Sequence, residues 1–126
     1  MTRLSILFAA LSVAPAAMLA QAPAPANPIS ASQNKMYTML SGVVIAAAEK
    51  MPEESYSFKP SPDVRSFGQL VGHLADSQYY FCGLAAGETK SSGGVEKNKT
   101  SKADLVAALK DAVAYCGTVY AAMTDA

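Results

Sequence analysis

Apolar side chains recur at spacings of three and four residues in three long segments of the chain, which is the pattern of amphipathic α-helices. The first segment starts at a capping residue, Ser30 or Ser32, and ends near Lys50. Pro52 ends it, because the residue before a proline is pushed out of the helical region. The predicted inner stripe of this helix consists of Met36, Leu40, Val43, Val44, Ala47, Ala48 and Met51.

A capping box predicts the start of the second helix. Ser66 is followed three residues later by Gln69, so each side chain can satisfy a backbone amide of the other. The helix continues to about Ala86, and Gly87 is a typical helix stop. Its predicted inner stripe consists of Leu70, His73, Leu74, Ser77, Phe81 and Leu84.

The third helix has a similar start, with Ser101 or Thr100 as its cap and Asp104 in its first turn. Its predicted stripe consists of Leu105, Leu109, Ala112, Val113, Cys116, Val119, Tyr120 and Met123. With no alternating strand pattern of useful length, the sequence predicts an all-α domain. Three long helices are visible and no fourth.

Two connections separate these helices. Residues 52–65 contain three prolines, which predict a stiff loop that Tyr56 and Phe58 pin to the helices. Residues 87–100 are polar and rich in Gly, Ser and Lys, which predicts a flexible connection.

The N-terminal segment has the layout of a secretory signal peptide: a positive start at Arg3, an apolar run over residues 4–13 and a small-residue stretch. We place cleavage after Ala20; cleavage after Ala17 or Ala22, and an uncleaved anchor, stay open. The apolar run is too short for a confident bilayer span of about 20 residues, so no stable span is expected after cleavage. The predicted plan is a signal peptide over 1–20, a Pro/Ala linker over 21–28 and a helical domain over 29–126, in a periplasmic or secreted protein.

Charge argues against one class of partner. The chain has ten basic and ten acidic residues, and removal of the predicted signal peptide with Arg3 leaves nine basic and ten acidic residues. Binding to nucleic acid phosphates rests on clustered Lys and Arg, so we expect no nucleic-acid partner.

Two cysteines, Cys82 and Cys116, fit a disulfide in an oxidising compartment; two buried thiols are the alternative. In an antiparallel helix pair their heights would differ by more than ~10 Å, at ~1.5 Å rise per residue, which is beyond disulfide reach. In a parallel pair they lie at about the same height. The connection over 87–100 is long enough for a parallel crossing at ~3.3 Å per residue. Both observations favour parallel second and third helices.

The ordered series from Met51 to Asp76 resembles the DinB/YfiT-like family. A first helix ends in a Met-Pro step, a Pro-containing loop follows, and the second helix opens with Ser-aromatic and then presents Leu-x-x-His-Leu. The residues that match are Pro52, Phe58, Pro60, Ser66, Phe67, Leu70, His73 and Leu74. The resemblance covers roughly Ile29 to Met123. It implies a four-helix bundle, so the domain over 29–126 would be incomplete at its C-terminal end.

The resemblance also implies a divalent metal, such as zinc or nickel, held by three histidines. One lies on the second helix, where His73 matches, and two come from a His-x-x-x-His pair on the last helix. His73 is the only histidine here, so the other two ligands have no counterpart. Asp76, three residues further along the helix, could be a weak second ligand, or it could orient the imidazole of His73 through a hydrogen bond to the ring nitrogen that does not bind the metal. The alternative is that His73 is a hydrogen-bonded, half-buried side chain without a ligand.

Two functions follow. The first is a metal-dependent protein similar to thiol-dependent transferases or hydrolases; the metal would act as a Lewis acid on a thiol or water, with no activity expected from residues 1–126 alone. The second is a non-catalytic helical module without metal, which acts through its helix faces either by interaction with a partner or by self-association as a homo-oligomer. Whether the protein is an enzyme stays open at this point.

Overall fold

The computed structural model describes residues 26–89 and 93–125. This part contains four α-helices and no strand, which confirms the all-α prediction. The predicted signal peptide and most of the predicted linker lie outside the described residues. The helices are α1 (Pro28–Lys50), α2 (Phe67–Ala85), the single-turn α3 (Val95–Asn98) and α4 (Lys102–Ala122), with a short 3-10 helix (Glu53–Ser57) after α1.

Helix α1 begins earlier than predicted and without a serine cap. Pro28 occupies the first turn, where its missing amide hydrogen costs nothing, and Asn27 precedes it without a side-chain capping bond. The cap comes instead from the other end of the chain. The carboxylate of Asp125 accepts hydrogen bonds from the backbone amides of Ile29 and Ser30, at 2.9 and 2.7 Å. A distant residue therefore supplies what Ser30 or Ser32 was expected to supply.

The other two predicted starts are correct. Ser66 accepts from the amide of Gln69 at 3.2 Å, and the side-chain oxygen of Gln69 accepts from the amide of Ser66 at 2.9 Å. Ser101 accepts from the amide of Asp104 at 3.1 Å. Local sequence alone determines both caps, because each needs only residues within one helical turn.

Helices α2 and α4 run parallel. Gly68, near the start of α2, is close to Leu105, near the start of α4. Towards the other ends, the Cα atoms of Cys82 and Cys116 are 5.4 Å apart. The topology predicted from the cysteine heights and the loop length is therefore confirmed.

Helix α1 runs antiparallel to α4. Near the start of α1, Tyr37 stacks on Tyr120 with ring centroids 4.4 Å apart. Near its end, the ammonium group of Lys102 donates to the carbonyl of Met51 at 2.8 Å. Helices α1 and α2 thus both pack chiefly on α4, which lies between them.

The core confirms the stripe predicted for α4 and corrects the one predicted for α2. Leu105, Leu109, Ala112 and Cys116 of α4 are buried. The face of α2 that meets them carries small side chains, and the larger apolar residues point away from it. The buried residues of α2 are Gly68, Val71, Gly72, Ala75, Cys82 and Gly83.

The stripe predicted for α1 is also mostly uncovered. Of its members, Ala48 is buried, whereas Met36, Leu40 and Val43 are more than half exposed. The large apolar faces of α1 and α2 therefore remain open to solvent in the described structure.

The loop after α1 is held by one aromatic residue, not two. Tyr56 is buried; its hydroxyl donates to the carbonyl of Ala48 at 2.6 Å, and its ring meets Phe67 edge-on. Phe58 is exposed and does not pin the loop, which corrects that part of the prediction.

Among the described helices, α4 has the length and apolar composition of a membrane-spanning helix. Composition alone does not distinguish such a helix from a core helix. Among the described residues, the largest fully buried side chains are Leu105, Leu109 and Cys116, and all three belong to α4, so we interpret it as the core helix.

Candidate functional site

The histidine predicted as a metal ligand lies at the surface of α2. The side chain of His73 is 44% exposed, and its Nδ1 atom lies 3.1 Å from Oε2 of Glu96. Glu96 belongs to α3, within the connection predicted to be flexible. That prediction is wrong for residues 95–98, which form a helical turn anchored by the buried side chain of Val95.

Asp76 fastens this turn to α2. Its two carboxylate oxygens accept hydrogen bonds from the backbone amides of Val95 and Glu96, at 2.9 and 3.0 Å. The sequence predicts that Asp76 lies next to the imidazole of His73, as a second ligand or as the group that orients the ring. The structure places its contacts on the backbone of α3, and the carboxylate beside His73 is that of Glu96.

Arg65 completes the surroundings of Glu96. The Nε atom of Arg65 donates to Oε1 of Glu96 at 2.7 Å, so the two carboxylate oxygens of Glu96 contact two different nitrogen groups. The hydrogen bond from Arg65 is the main reason that the pKa of Glu96 lies below its usual range, and the contact with His73 acts in the same direction. Glu96 is therefore a carboxylate, able to accept both hydrogen bonds at neutral pH.

A surface cavity of about 390 Å³ borders this group. It contains one imidazole and two carboxylates, of which that of Asp76 is already bonded to backbone amides. Its lining residues are His73, Asp76, Ser77, Tyr80, Phe81, Gly94, Glu96 and Lys97.

A single imidazole does not make a metal site. Structural and catalytic zinc sites use three or four protein ligands. Across residues 26–89 and 93–125, no group of three His, Cys, Asp or Glu side chains is arranged to hold a metal ion. His73 thus fits the role of one ligand, and the described residues do not supply the rest of the set.

A second feature is an apolar cleft of about 250 Å³ between α1 and α2, with α4 as its floor. At its base, the hydroxyl of Tyr37 bonds to the side-chain oxygen of Gln78 and the carbonyl of Val113. Burial, together with Tyr120, raises the pKa of Tyr37 to about 12, so this hydroxyl stays protonated. The apolar lining residues are Met36, Leu40, Val44, Leu74, Leu109 and Val113.

Leu74, which lines this cleft, belongs to an exposed apolar face of α2 that extends beyond the cleft in both directions. Leu70, Leu74, Phe81 and Leu84 follow one another at spacings of three, four and seven residues, so they share one face of the helix. Their side chains are 45%, 38%, 64% and 56% exposed. His73 lies about 100° around the helix from Leu74, at the edge of this face.

The two cysteines lie in the core between α2 and α4. Cys116 is fully buried, Cys82 nearly so, and their Sγ atoms are at disulfide-bonding distance. The geometry therefore permits the pairing expected from the sequence.

Comparison with known families identifies a match over most of the described residues. The family model described as the DinB superfamily matches residues 39–126, which is more than half of the chain and includes α2, α3 and α4. No curated protein and no solved structure is significantly similar to the chain.

Proposed function

Because the chain belongs to the DinB superfamily, we propose that it is an exported helical domain that receives a further amphipathic helix in the cleft between α1 and α2. The observation that carries this proposal is the exposure of the large apolar face of α2, next to the exposed Met36 and Leu40 of α1. Folded proteins rarely leave contiguous apolar surface of this kind uncovered unless it binds something.

The shape of the cleft favours a helix as the occupant. Its walls are two helices that both pack on α4. A fourth long helix laid between α1 and α2 would complete a bundle in which all four long helices have their apolar faces inside. The occupant needs an apolar stripe of its own to meet Leu40, Leu74 and Phe81. This is the last helix that the family resemblance implies.

Metal binding is the second part of this proposal. His73 stands at the edge of the apolar face of α2, so a helix that covers the face passes close to the imidazole. A His-x-x-x-His pair on that helix would add two ligands on one side, because residues four apart lie above one another. The described residues alone do not complete the set, so we assign no reaction step to the metal. Thiol-dependent transfer or hydrolysis remains the activity class that the resemblance implies.

Export is supported by the cysteines. Paired cysteines persist in oxidising compartments and are rare in reducing ones. Cys82 and Cys116 have the geometry for such a pair, and the first 20 residues have a signal-peptide layout. We therefore propose a periplasmic or secreted location.

The coding DNA and the purified protein together test the proposal. Translation beyond codon 126 is expected to show an amphipathic helix that carries His-x-x-x-His. The protein with that helix should bind close to one equivalent of zinc or nickel and lose it on His73→Ala. Less than about 0.1 equivalent of bound metal would contradict the metal part, and a downstream sequence without an amphipathic helix would contradict the occupant.

One observation favours a second candidate, which is self-association through α1. Residues 36–48 contain no charged side chain, and Met39 and Val43 are 61% and 64% exposed on the side of α1 away from α4. A two-fold pair of such faces would bury both.

Sedimentation velocity over a range of protein concentrations tests this candidate. It should show a dimer that Val43→Glu converts to a monomer, whereas Thr38→Glu, an exposed position on another side of α1, should leave the dimer intact. A wild-type protein that stays monomeric at every concentration would overturn self-association.

A further inference from the structure

The side chain and the backbone of Glu96 are both held in place by neighbouring residues, which distinguishes its contact with His73 from an ordinary surface ion pair. Arg65 holds Oε1 of Glu96, and Asp76 holds its backbone amide. Gly72 lets the backbone of α3 approach α2 closely. Exposed ion pairs contribute little when both side chains are free to move, but here the carboxylate is positioned before the imidazole meets it.

We propose that Glu96 is a positioning residue that holds His73 in the tautomer with the proton on Nδ1, and thereby presents the lone pair of Nε2 to ligands. A carboxylate can only accept a hydrogen bond, so the nitrogen facing it must carry the hydrogen. The neutral ring then has its only free lone pair on Nε2.

The chemistry of Nε2 follows from this assignment. With Nδ1–H bonded to a carboxylate, the orientation of the ring is fixed, which is the arrangement found behind metal-ligating histidines. Nε2 would bind a divalent cation or accept a hydrogen bond from a polar ligand. The cation part rests on the proposed function, whereas the tautomer is a property of the metal-free protein.

The connection between α2 and α4 does more than span the distance between the two helices. It packs the buried side chain of Val95 against α2 and brings the carboxylate of Glu96 to the imidazole of His73. Val95 anchors the turn, and the next residue delivers the carboxylate to the imidazole. The connection therefore contributes a residue to the site that α2 alone cannot provide.

NMR of the metal-free protein tests the assignment directly, because the chain contains a single histidine and every imidazole signal belongs to it. Long-range ¹H–¹⁵N correlation is recorded at alkaline pH, where histidine side chains are neutral. Wild-type protein should show Nδ1 protonated and Nε2 unprotonated. Glu96→Ala should shift the ring towards a mixture of tautomers. In Glu96→Gln the single amide oxygen faces Arg65, which can only donate, so the NH2 group faces Nδ1 and should favour the tautomer with the proton on Nε2.

Glu54→Ala serves as the matched control, since Glu54 is an exposed carboxylate in the 3-10 helix, and it should leave the spectrum unchanged. A wild-type ring protonated on Nε2, or a Glu96→Ala spectrum identical to wild type in a folded protein, would overturn the inference. Zinc titration of the protein that carries the further helix is a separate readout: a correct tautomer without zinc binding there would contradict only the proposed metal function.

Discussion

A Cβ atom on Gly72 would lie 2.7 Å from the Cα atom of Glu96 and 2.9 Å from its backbone nitrogen. Real Cβ atoms do not come this close to backbone, so α3 can lie against α2 only where α2 has a glycine. The contact between His73 and Glu96, one residue further along α2, depends on this approach.

Gly72→Ala is therefore expected to displace α3. Backbone cannot move aside as a flexible side chain can, so we expect a loss of about 1–3 kcal/mol in the free energy of unfolding, measured by urea denaturation. Gly117→Ala is the control, because a Cβ at that helical position meets no atom within 4 Å. It should stabilise the protein by up to about 1 kcal/mol, since alanine is the better helix former. Equal effects of the two substitutions would contradict the close approach.

The cysteine pair gives a second prediction. A thiol assay on unreduced, denatured protein should find no free thiol, and two free thiols would exclude the bond. Replacing both Cys82 and Cys116 by alanine should lower the free energy of unfolding by about 2–4 kcal/mol, because the bond restricts the unfolded chain. Reductant should destabilise the wild type and leave this variant unaffected.

The difference in burial between the leucines of α4 and those of α2 gives a third prediction. Leu109→Ala, in the buried face of α4, should cost about 2–5 kcal/mol of stability through the lost contacts and the cavity. Leu84→Ala, on the exposed face of α2, should change stability by about 0.5 kcal/mol or less. Urea denaturation of both variants measures the difference. A large loss for Leu84→Ala would mean that its face is already covered.

The cap of α1 gives a fourth prediction, on pH. The hydrogen bond from the Ser30 hydroxyl, and then those from the Ile29 and Ser30 amides, hold the pKa of Asp125 below its usual range. A carboxylate with a lowered pKa stabilises the fold above its unfolded pKa, and this stabilisation is lost as the pH falls through the folded pKa. Asp125→Asn should therefore lower the melting temperature at neutral pH more than at acidic pH. An equal drop at both would contradict the charged cap.

Local signals predicted the helices well. The capping residues Ser66 and Ser101 lie where expected, because a cap depends on residues within one turn. The start of α1 was misjudged for the opposite reason: its cap, Asp125, lies 95 residues from Ser30, which no local pattern reveals.

The faces of α1 and α2 were harder to predict. Periodicity finds the stripe with the largest apolar side chains, and on α2 that stripe includes Leu74 and Phe81. The helix also has a second face of glycine, alanine and cysteine, and this face packs on α4. Small side chains contribute little to a periodicity signal, yet they allow the closest approach of two helices.

Within the candidate site, His73 was identified from the sequence and Glu96 was not. Polar composition suggested a flexible linker, and only the isolated Val95 hinted at an anchored turn. One valine in a polar segment is only a weak signal for a helical turn. The contact between Glu96 and His73 depends on how that turn packs on α2, which the local sequence does not reveal.

The parallel arrangement of α2 and α4 also has an electrical consequence. The amino ends of both helices lie at the end of the bundle where α1 terminates, near Met51 and Lys102. Each helix carries about half a positive elementary charge at its amino end and half a negative charge at its carboxyl end. The positive ends of α2 and α4 therefore lie beside the negative end of α1. The described bundle therefore has the uncompensated dipole of one helix. A helix that enters the cleft in the same direction as α1 would cancel it, and the field itself favours that orientation over the reverse.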